Sequence, residues 1–252
     1  MYTQQPYRCR LDWGRHGTRE AAVGGDILVI VDTLSFSSAA VTAVHHGGII
    51  YPCSWEDEDP EEFARHIGGI AAVNRLDVPE KGRFSLSPPT FLQIQPGERV
   101  VLASPNGATC SCYAGQVPHL LVGTLLNAQA TANAVASLLA HSSLNVTVIA
   151  CGERWKTPTA DGELRIAIED YLGAGAILSA LPYDQSPEAR VCAGAFTQTR
   201  DDLAAIIWDC GSGRELRQKG YSIDVTHSAQ LNVYDTAPIM EGDHLVPFTQ
   251  GK

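Results

Sequence analysis

Residues 145–181 read NVTVIACGERWKTPTADGELRIAIEDYLGAGAILSAL, and they carry the clearest structural signal in the chain. The run of β-branched residues at 146–149 predicts a buried strand that ends near Cys151. A short polar loop follows. Ile168, Leu172 and Ala176 then recur at a helical spacing of four. The stretch therefore predicts a strand, a loop and a helix, in that order.

Two adjacent carboxylates, Glu169 and Asp170, fall in the early turns of this predicted helix. Beside a strand end, such a pair suits a hard cation that prefers oxygen ligands, such as Mg²⁺. The alternative is a solvated acidic helix start, which complements the helix macrodipole. Spacing alone leaves both interpretations open.

Strand-like and helix-like segments also alternate upstream, from Asp26 onward. The units cover 26–48, 49–69, 98–114 and 119–141. This alternation is typical of βα units and predicts an α/β fold with a largely parallel sheet covered by helices. The length of 252 residues allows one unit over 1–252 or two lobes that meet near 140–150.

The remaining segments have weaker patterns. Three prolines and no sustained periodicity predict a long loop or edge hairpin at 74–95. Residues 201–220 predict a helix with a glycine-rich interruption, and the tail from Tyr221 predicts a strand mixed with irregular structure.

Composition limits the partners that we expect. The net charge is −10 and no long basic run occurs, which argues against nucleic acid and anionic membranes as partners. The N-terminus lacks the apolar core of a secretory signal, and no apolar stretch approaches the roughly 20 residues of a membrane span. We therefore expect a cytoplasmic protein, with a symmetric homodimer as the default assembly.

Polar residues follow the predicted strands at the point where each one ends. They are Asp32, Asn106-Gly107, Asn127 and Cys151-Gly152. In α/β sheets, ligands bind beyond the carboxyl ends of the strands, where helix N-termini favour anions. Each residue also has a local alternative, since Asp32 and Asn127 suit helix caps and Asn-Gly is a common turn. Only their joint placement predicts an anion and metal site.

Cysteine chemistry offers a second hypothesis. Cys151 would be a nucleophile if positive charge, for example that of Arg154, lowered its pKa, or else a small residue in a tightly packed position. The seven cysteines show no zinc-type spacing, and the close pair Cys110 and Cys112 is more typical of buried helix residues.

Several motifs, taken in order, resemble the 2-phosphosulfolactate phosphatase family. They are VIVDTLSFSSAAVTAVHHGG, GRFSLSPP, ASPNGAT, GTLLNAQATANAV, ACGE with IEDYLGAGAIL, and YSIDVTHSAQLNVYDTAPIM. The resemblance covers most of the chain. It implies a three-layer α/β/α fold with a mixed sheet, and Mg²⁺-dependent removal of phosphate from 2-phospho-3-sulfolactate in coenzyme M biosynthesis.

The resemblance also implies roles for particular residues. Asp32, Glu169 and Asp170 would belong to the metal and catalytic site. The residues lining the substrate would be Asn106, Gly107, Asn127 and Cys151, with Asp224 matching an acidic position in the C-terminal block.

Two arginines that are usual in the family are absent from this chain. Ser35 stands where the first motif usually carries arginine, and the Asn-Gly-Thr-Arg turn is replaced by Asn106 to Cys110. Arginine binds oxyanions bidentately, so its loss weakens anion binding unless other loops supply guanidinium groups. We expect Arg75, Arg83 and Arg154 as replacements. The alternatives are a catalytically silent relative that binds another small anion, and a cysteine hydrolase that uses Cys151.

Overall fold

The computed structural model describes residues 3–56, 59–115, 117–159 and 162–249. The strands within these ranges are β1 (Cys9–Trp13), β2 (Ile27–Val31), β3 (Ile49–Ser54), β4 (Ile70–Ala71), β5 (Arg99–Ser104), β6 (Leu120–Val122), β7 (Val146–Ala150), β8 (Glu153–Thr159), β9 (Gly162–Arg165), β10 (Pro238–Glu241) and β11 (His244–Pro247). The helices there are α1 (Gly14–Val23), α2 (Phe36–His45), α3 (Pro60–Ile67), α4 (Gly107–Tyr113), α5 (Ala128–Ala140), α6 (Ile168–Ser179), α7 (Pro187–Thr199), α8 (Leu203–Asp209), α9 (Gly211–Gln218) and α10 (Ser222–Ser228).

Local sequence explains several of these boundaries. Every residue of β2 is buried, as expected for an apolar strand covered on both faces. Helix α3 begins where the Asp59 side chain accepts hydrogen bonds from the first-turn N–H groups, with Pro60 at its first position. It ends at Gly68, which adopts the left-handed conformation at φ 65°.

Nine strands form one mixed sheet in the order β1-β7-β2-β6-β10-β11-β3-β5-β4. The pairs β1–β7, β7–β2, β2–β6, β3–β5 and β5–β4 are parallel. The hairpin β10–β11 lies in the middle and joins each half through one antiparallel residue pair. Because these three antiparallel pairings occur in succession, β3, β4 and β5 run opposite to β2, β6 and β7.

Helices cover both faces of this sheet. One apolar core lies between β1, β2 and β7 and helices α5, α6 and α7, and the opposite face packs against α2 and α4. A smaller cluster joins α3 to the outer strands β3 and β5. The architecture is therefore a three-layer α/β/α fold with a mixed, mostly parallel sheet, which confirms the predicted fold class.

Two local predictions need correction. Residues 152–167, predicted as a loop, contain the two-stranded sheet β8–β9. The tail from Tyr221 begins with helix α10 before it contributes β10 and β11. Neither segment shows a strong apolar periodicity, because β8–β9 is largely exposed and α10 is only two turns long.

The predicted loop at 74–95 is confirmed, with short 3₁₀ turns at Arg75–Asp77 and Pro88–Gln93. Segment 140–150 leads from α5 into β7, which pairs with both β1 and β2. Among the described residues, no helix has the length and apolar character that crossing a membrane requires.

Candidate active site

Asp32 follows the last residue of β2, and its side chain is 6% exposed. Its Oδ2 accepts a hydrogen bond from the Gly107 N–H at 2.9 Å. A Cβ at position 107 would lie 2.8 Å from this oxygen and 2.6 Å from the Phe36 ring. Glycine is therefore required for the backbone of the Asn106-Gly107 turn to approach Asp32 so closely.

This approach joins the two oppositely directed halves of the sheet. The sequence predicts that all strand-end residues gather on one edge, but β5 runs opposite to β2 through the antiparallel hairpin. The turn after β5 nevertheless contacts Asp32 through Gly107 at the start of α4. The site is therefore assembled across the sheet and not along one edge alone.

Asp170 joins the loops that follow two adjacent strands. Its Oδ1 accepts from the Thr33 N–H at 2.7 Å, after β2, and its Oδ2 accepts from the Gly152 N–H at 2.8 Å, after β7. Gly152 has a φ of 67°, a conformation that favours glycine. The buried carboxylate thus holds the first turn of α6 against both strand ends.

Glu153, which the sequence analysis did not select, completes the acidic group. Its carboxylate accepts a hydrogen bond from Asn106 Nδ2 at 3.1 Å. It is the first residue of β8 and lies two positions after Cys151. Its place in the Cys-Gly-Glu sequence directly after a buried strand is the signal that would have identified it.

The carboxylates raise one another's pKa values. Burial, followed by the charge of Glu153, raises the pKa of Asp32 to about 7. Burial raises the pKa of Asp170 well above its ordinary value, with further contributions from Asp32 and Glu169. Burial also raises the pKa of Glu153. Buried carboxyl groups of this kind cluster at functional sites, because ionising several of them together is unfavourable.

Glu169 points away from its neighbour Asp170. Its Oε2 lies 3.3 Å from the Cys210 thiol, at the junction of α8 and α9, and its backbone carbonyl accepts from Thr33 Oγ1. Of the described residues, no three His, Cys, Asp or Glu side chains are arranged as a metal-binding group. The donor chemistry nevertheless fits Mg²⁺, since Asp32, Glu153 and Asp170 are oxygen donors whose mutual repulsion a cation would relieve.

Cys151 is buried next to Cys110. The Cys151 thiol is hydrogen-bonded to the Cys110 sulfur, which lowers the pKa of Cys110. Burial, Cys110 and the charges of Asp32 and Asp170 raise the pKa of Cys151 well above its ordinary value. This environment keeps the Cys151 thiol protonated, which is opposite to the activation of a nucleophilic cysteine.

Arg75 lies beside Ser35, where the family's first arginine is absent. Its Nη2 is 3.3 Å from Ser35 Oγ, and its Nε donates to Asp224 Oδ2 at 2.9 Å. Asp224 is fully buried and also accepts from Ser87 Oγ. Asp224 therefore positions Arg75, and the prediction that Arg75 supplies a guanidinium near Ser35 agrees with this geometry.

The other predicted arginines have different surroundings. Arg154 forms ion pairs with Glu163 at 2.6 Å and Glu56 at 3.3 Å. Arg83 pairs with Glu98, which precedes β5 and so lies at the strand end remote from Asn106. Arg15, which the sequence analysis did not select, donates to the Pro105 carbonyl at 2.7 Å and adds to the lowering of the Cys110 pKa.

Asn127 has a structural environment. Its Oδ1 accepts from the Thr124 N–H at 3.0 Å, and its Nδ2 donates to the Thr236 carbonyl at 2.9 Å. These contacts close the turn that starts α5 and fasten it to the C-terminal segment. The structure thus brings Asp32, Asn106, Gly107, Cys151 and Asp170 together, while Glu169 and Asn127 face other partners.

Two cavities adjoin the carboxylates. The first has a volume of about 360 Å³ and is lined by Arg15, Asn106, Cys110, Cys151 and Glu153, among others. The second has a volume of about 580 Å³ and includes Ser35 and Arg75. Glu153 and Arg154 line both. Together, these features define an α/β/α protein with a carboxylate cluster set in an arginine-containing cleft, as an enzyme acting on a small anion requires.

Comparison with known proteins identifies the family. A family model described as 2-phosphosulpholactate phosphatase matches residues 15–243. A probable 2-phosphosulfolactate phosphatase of Pseudothermotoga lettingae is 27% identical over 224 residues, which span 87% of this chain and 92% of that protein. The 2-phosphosulfolactate phosphatase of Methanocaldococcus jannaschii is 25% identical over 235 residues, covering 87% of this chain and 91% of the relative. The chain belongs to the 2-phosphosulfolactate phosphatase family, a family of phosphoric monoester hydrolases, which confirms the resemblance seen in the sequence.

Proposed function

We propose that this protein is a Mg²⁺-dependent phosphatase that hydrolyses the phosphate ester of a small 2-hydroxy acid, with 2-phosphosulfolactate as the first candidate substrate. The observation that carries the proposal is the coupled carboxylate group Asp32, Glu153 and Asp170 in a cleft that also contains guanidinium groups. The names of the relatives support the choice of substrate.

Asp32 and Asp170, with Glu153 or Glu169, would hold the metal. When bound, Mg²⁺ would neutralise charge on the phosphate oxygens. The burial of these carboxylates supports this role, because uncompensated negative charge in a buried site favours cation binding.

The other residues would bind the ester and move protons. Arg15 and Arg154 line the smaller cavity, where their charges would favour the phosphate group. Glu153 lines both cavities and its raised pKa enlarges its protonated fraction at any given pH, so it can protonate the leaving hydroxyl oxygen. Asn106 would orient Glu153 through its amide hydrogen bond.

A silent relative that binds another anion is the second candidate. Its motivation is the absence of arginine at Ser35 and in the turn from Asn106 to Cys110. The positions of Arg75 beside Ser35 and of Arg15 near Cys110 weaken that motivation. The cysteine hydrolase is weaker still, because the thiol of Cys151 is held in its protonated form.

The test is phosphate release by the purified protein from 2-phosphosulfolactate, phospholactate and phosphoglycolate, with Mg²⁺ and with a chelator. Release that the chelator abolishes and Mg²⁺ restores is the expected result. Release that is indifferent to the chelator would reject the metal role. If all three compounds bind without release, the silent relative is the better description.

A further inference from the structure

The larger cavity is strongly basic in an acidic protein. Its charged lining residues within the described chain are Arg75, Arg154, Lys156, Arg165 and Lys219, against Glu153 and Glu215. The whole chain has a net charge of −10, so this excess of positive charge is a local feature. A cleft with one sign of charge concentrates ligands of the opposite sign.

Most of these cations already have partners. Arg75 donates to Asp224, Ser35 and two backbone carbonyls. Arg154 pairs with Glu163 and Glu56, and Lys219 pairs with Glu215 at 2.7 Å. Their donors are therefore largely used in holding the walls of the cleft.

Arg165 differs from them. It is the last residue of β9, half-buried, and its Nη2 donates to Ser212 Oγ at 3.1 Å. Throughout the part of the chain that the structure describes, no carboxylate oxygen lies within 4 Å of its guanidinium. A partly desolvated arginine with free donors is a ready ligand for an oxyanion.

We propose that Arg165, with Ser212 beside it, binds a second anionic group of the substrate, a carboxylate or a sulfonate. This inference rests on the proposed function, because it assumes that the phosphate ester lies at the Asp32 and Asp170 end of the cleft. Glu153 lines both cavities, so a small molecule that contacts Glu153 reaches the carboxylate cluster on one side and Arg165 on the other. Arg165 would thus select substrates with two anionic groups.

The test compares three phosphate esters with wild type and Arg165→Gln. Ethyl phosphate has no second anionic group, phospholactate adds a carboxylate, and 2-phosphosulfolactate adds a carboxylate and a sulfonate. Arg165→Gln is expected to raise KM about ten- to hundred-fold for the esters that carry the group it binds, and to leave ethyl phosphate nearly unchanged. Arg165→Lys should restore part of the loss. An effect on 2-phosphosulfolactate alone identifies the sulfonate as the ligand, and an effect on both identifies the carboxylate.

Arg83→Gln is the matched control, since it removes an exposed arginine that pairs with Glu98 outside this cavity. Equal losses for all three esters, or no change for any of them, would overturn the assignment of Arg165.

Binding of sulfolactate and lactate, measured by calorimetry, separates this inference from the proposed function. If wild type binds sulfolactate and Arg165→Gln binds it at least ten-fold more weakly, the anion site stands even without turnover. If both proteins bind it equally, or neither binds it, the assignment of Arg165 fails whatever the phosphatase assay shows.

Discussion

Asp26 and Asp32 lie at the two ends of the same buried strand, β2, and both are almost inaccessible to solvent. Asp26 accepts hydrogen bonds from Arg10 at 2.9 Å and from Thr147 at 2.6 Å. Asp32 lies instead among carboxylates, which help to raise its pKa to about 7. The same residue type is thus a structural ion-pair partner at one end of the strand and a poised acid at the other. Burial does not separate these roles, but the charges of the neighbours do.

Asp32→Asn should give the largest effect on activity if this end of the strand serves chemistry. The asparagine keeps an oxygen for the Gly107 N–H but removes the charge, so kcat/KM is expected to fall by about 10²–10⁴-fold. Thermal stability should be unchanged or higher, because an unfavourable buried charge is lost. Asp209→Asn, which affects an exposed carboxylate paired with Arg214, is the control and should keep full activity. Activity within twofold of wild type for Asp32→Asn would break the distinction between the two strand ends.

Asp26→Asn should produce the opposite profile. It leaves the buried Arg10 guanidinium without its counter-charge, and losing one partner of such a pair costs about 3–5 kcal/mol in the free energy of unfolding. Denaturant unfolding measures this loss, and the folded fraction should retain its activity. Adding Arg10→Met should recover part of the stability. A variant as stable as wild type would show that the ion pair contributes little.

The pH dependence of stability should distinguish the Asp32 end directly. The folded-state pKa of Asp32, about 7, is above its ordinary value of 3.8, so the group favours folding at low pH. That contribution is lost as pH rises from about 4 through about 7. Because Mg²⁺ competes with protons for the carboxylates, its increase of Tm should be larger at pH 8 than at pH 5.

Thermal unfolding at both pH values, with Mg²⁺ and with a chelator, measures this difference. Asp32→Asn should remove much of the dependence on Mg²⁺, whereas Asp209→Asn should not. An equal Mg²⁺ effect at both pH values would contradict a site made of carboxylates with raised pKa values.

The sequence predicts the strand ends well and the contacts between them poorly. Buried apolar runs identify β2 and β7, and so place Asp32 and Cys151 at their ends. Glu153 was not identified because the exposed β8–β9 hairpin lacks the apolar alternation of a strand packed on a core. Contacts such as Arg75 with Asp224 join residues 149 positions apart, and no local pattern encodes them.

The direction of β5 was also beyond the reach of the sequence pattern. The turn at Asn106-Gly107 was expected on the same edge as Asp32, but the central hairpin β10–β11 reverses the strand direction between the halves. The expected proximity is real because α4 starts against Asp32. A βα alternation reports the local units and says nothing about an antiparallel hairpin inserted between them.

Gly107→Ala tests this contact across the halves. The added methyl would meet Asp32 Oδ2 and Phe36, so we expect a loss of about 1–3 kcal/mol in the free energy of unfolding and a lower kcat. Gly194→Ala is the matched control, because a Cβ there has no atom within 4 Å and the position lies inside α7. The control should be neutral or stabilising by up to about 1 kcal/mol. Equal behaviour of the two variants would show that the turn tolerates displacement from Asp32.

Cys151→Ala should have the smallest effect on catalysis. The thiol is buried against Cys110 and its pKa is raised, so it contributes packing and not nucleophilic attack. We expect phosphate release to remain within about threefold of wild type, with a modest loss of stability from the small cavity. Wild type should also react slowly with alkylating reagents at neutral pH, because little thiolate is present. Loss of all activity in a folded Cys151→Ala variant, together with indifference to chelator, would transfer the chemistry from the Asp32 carboxylates to this thiol.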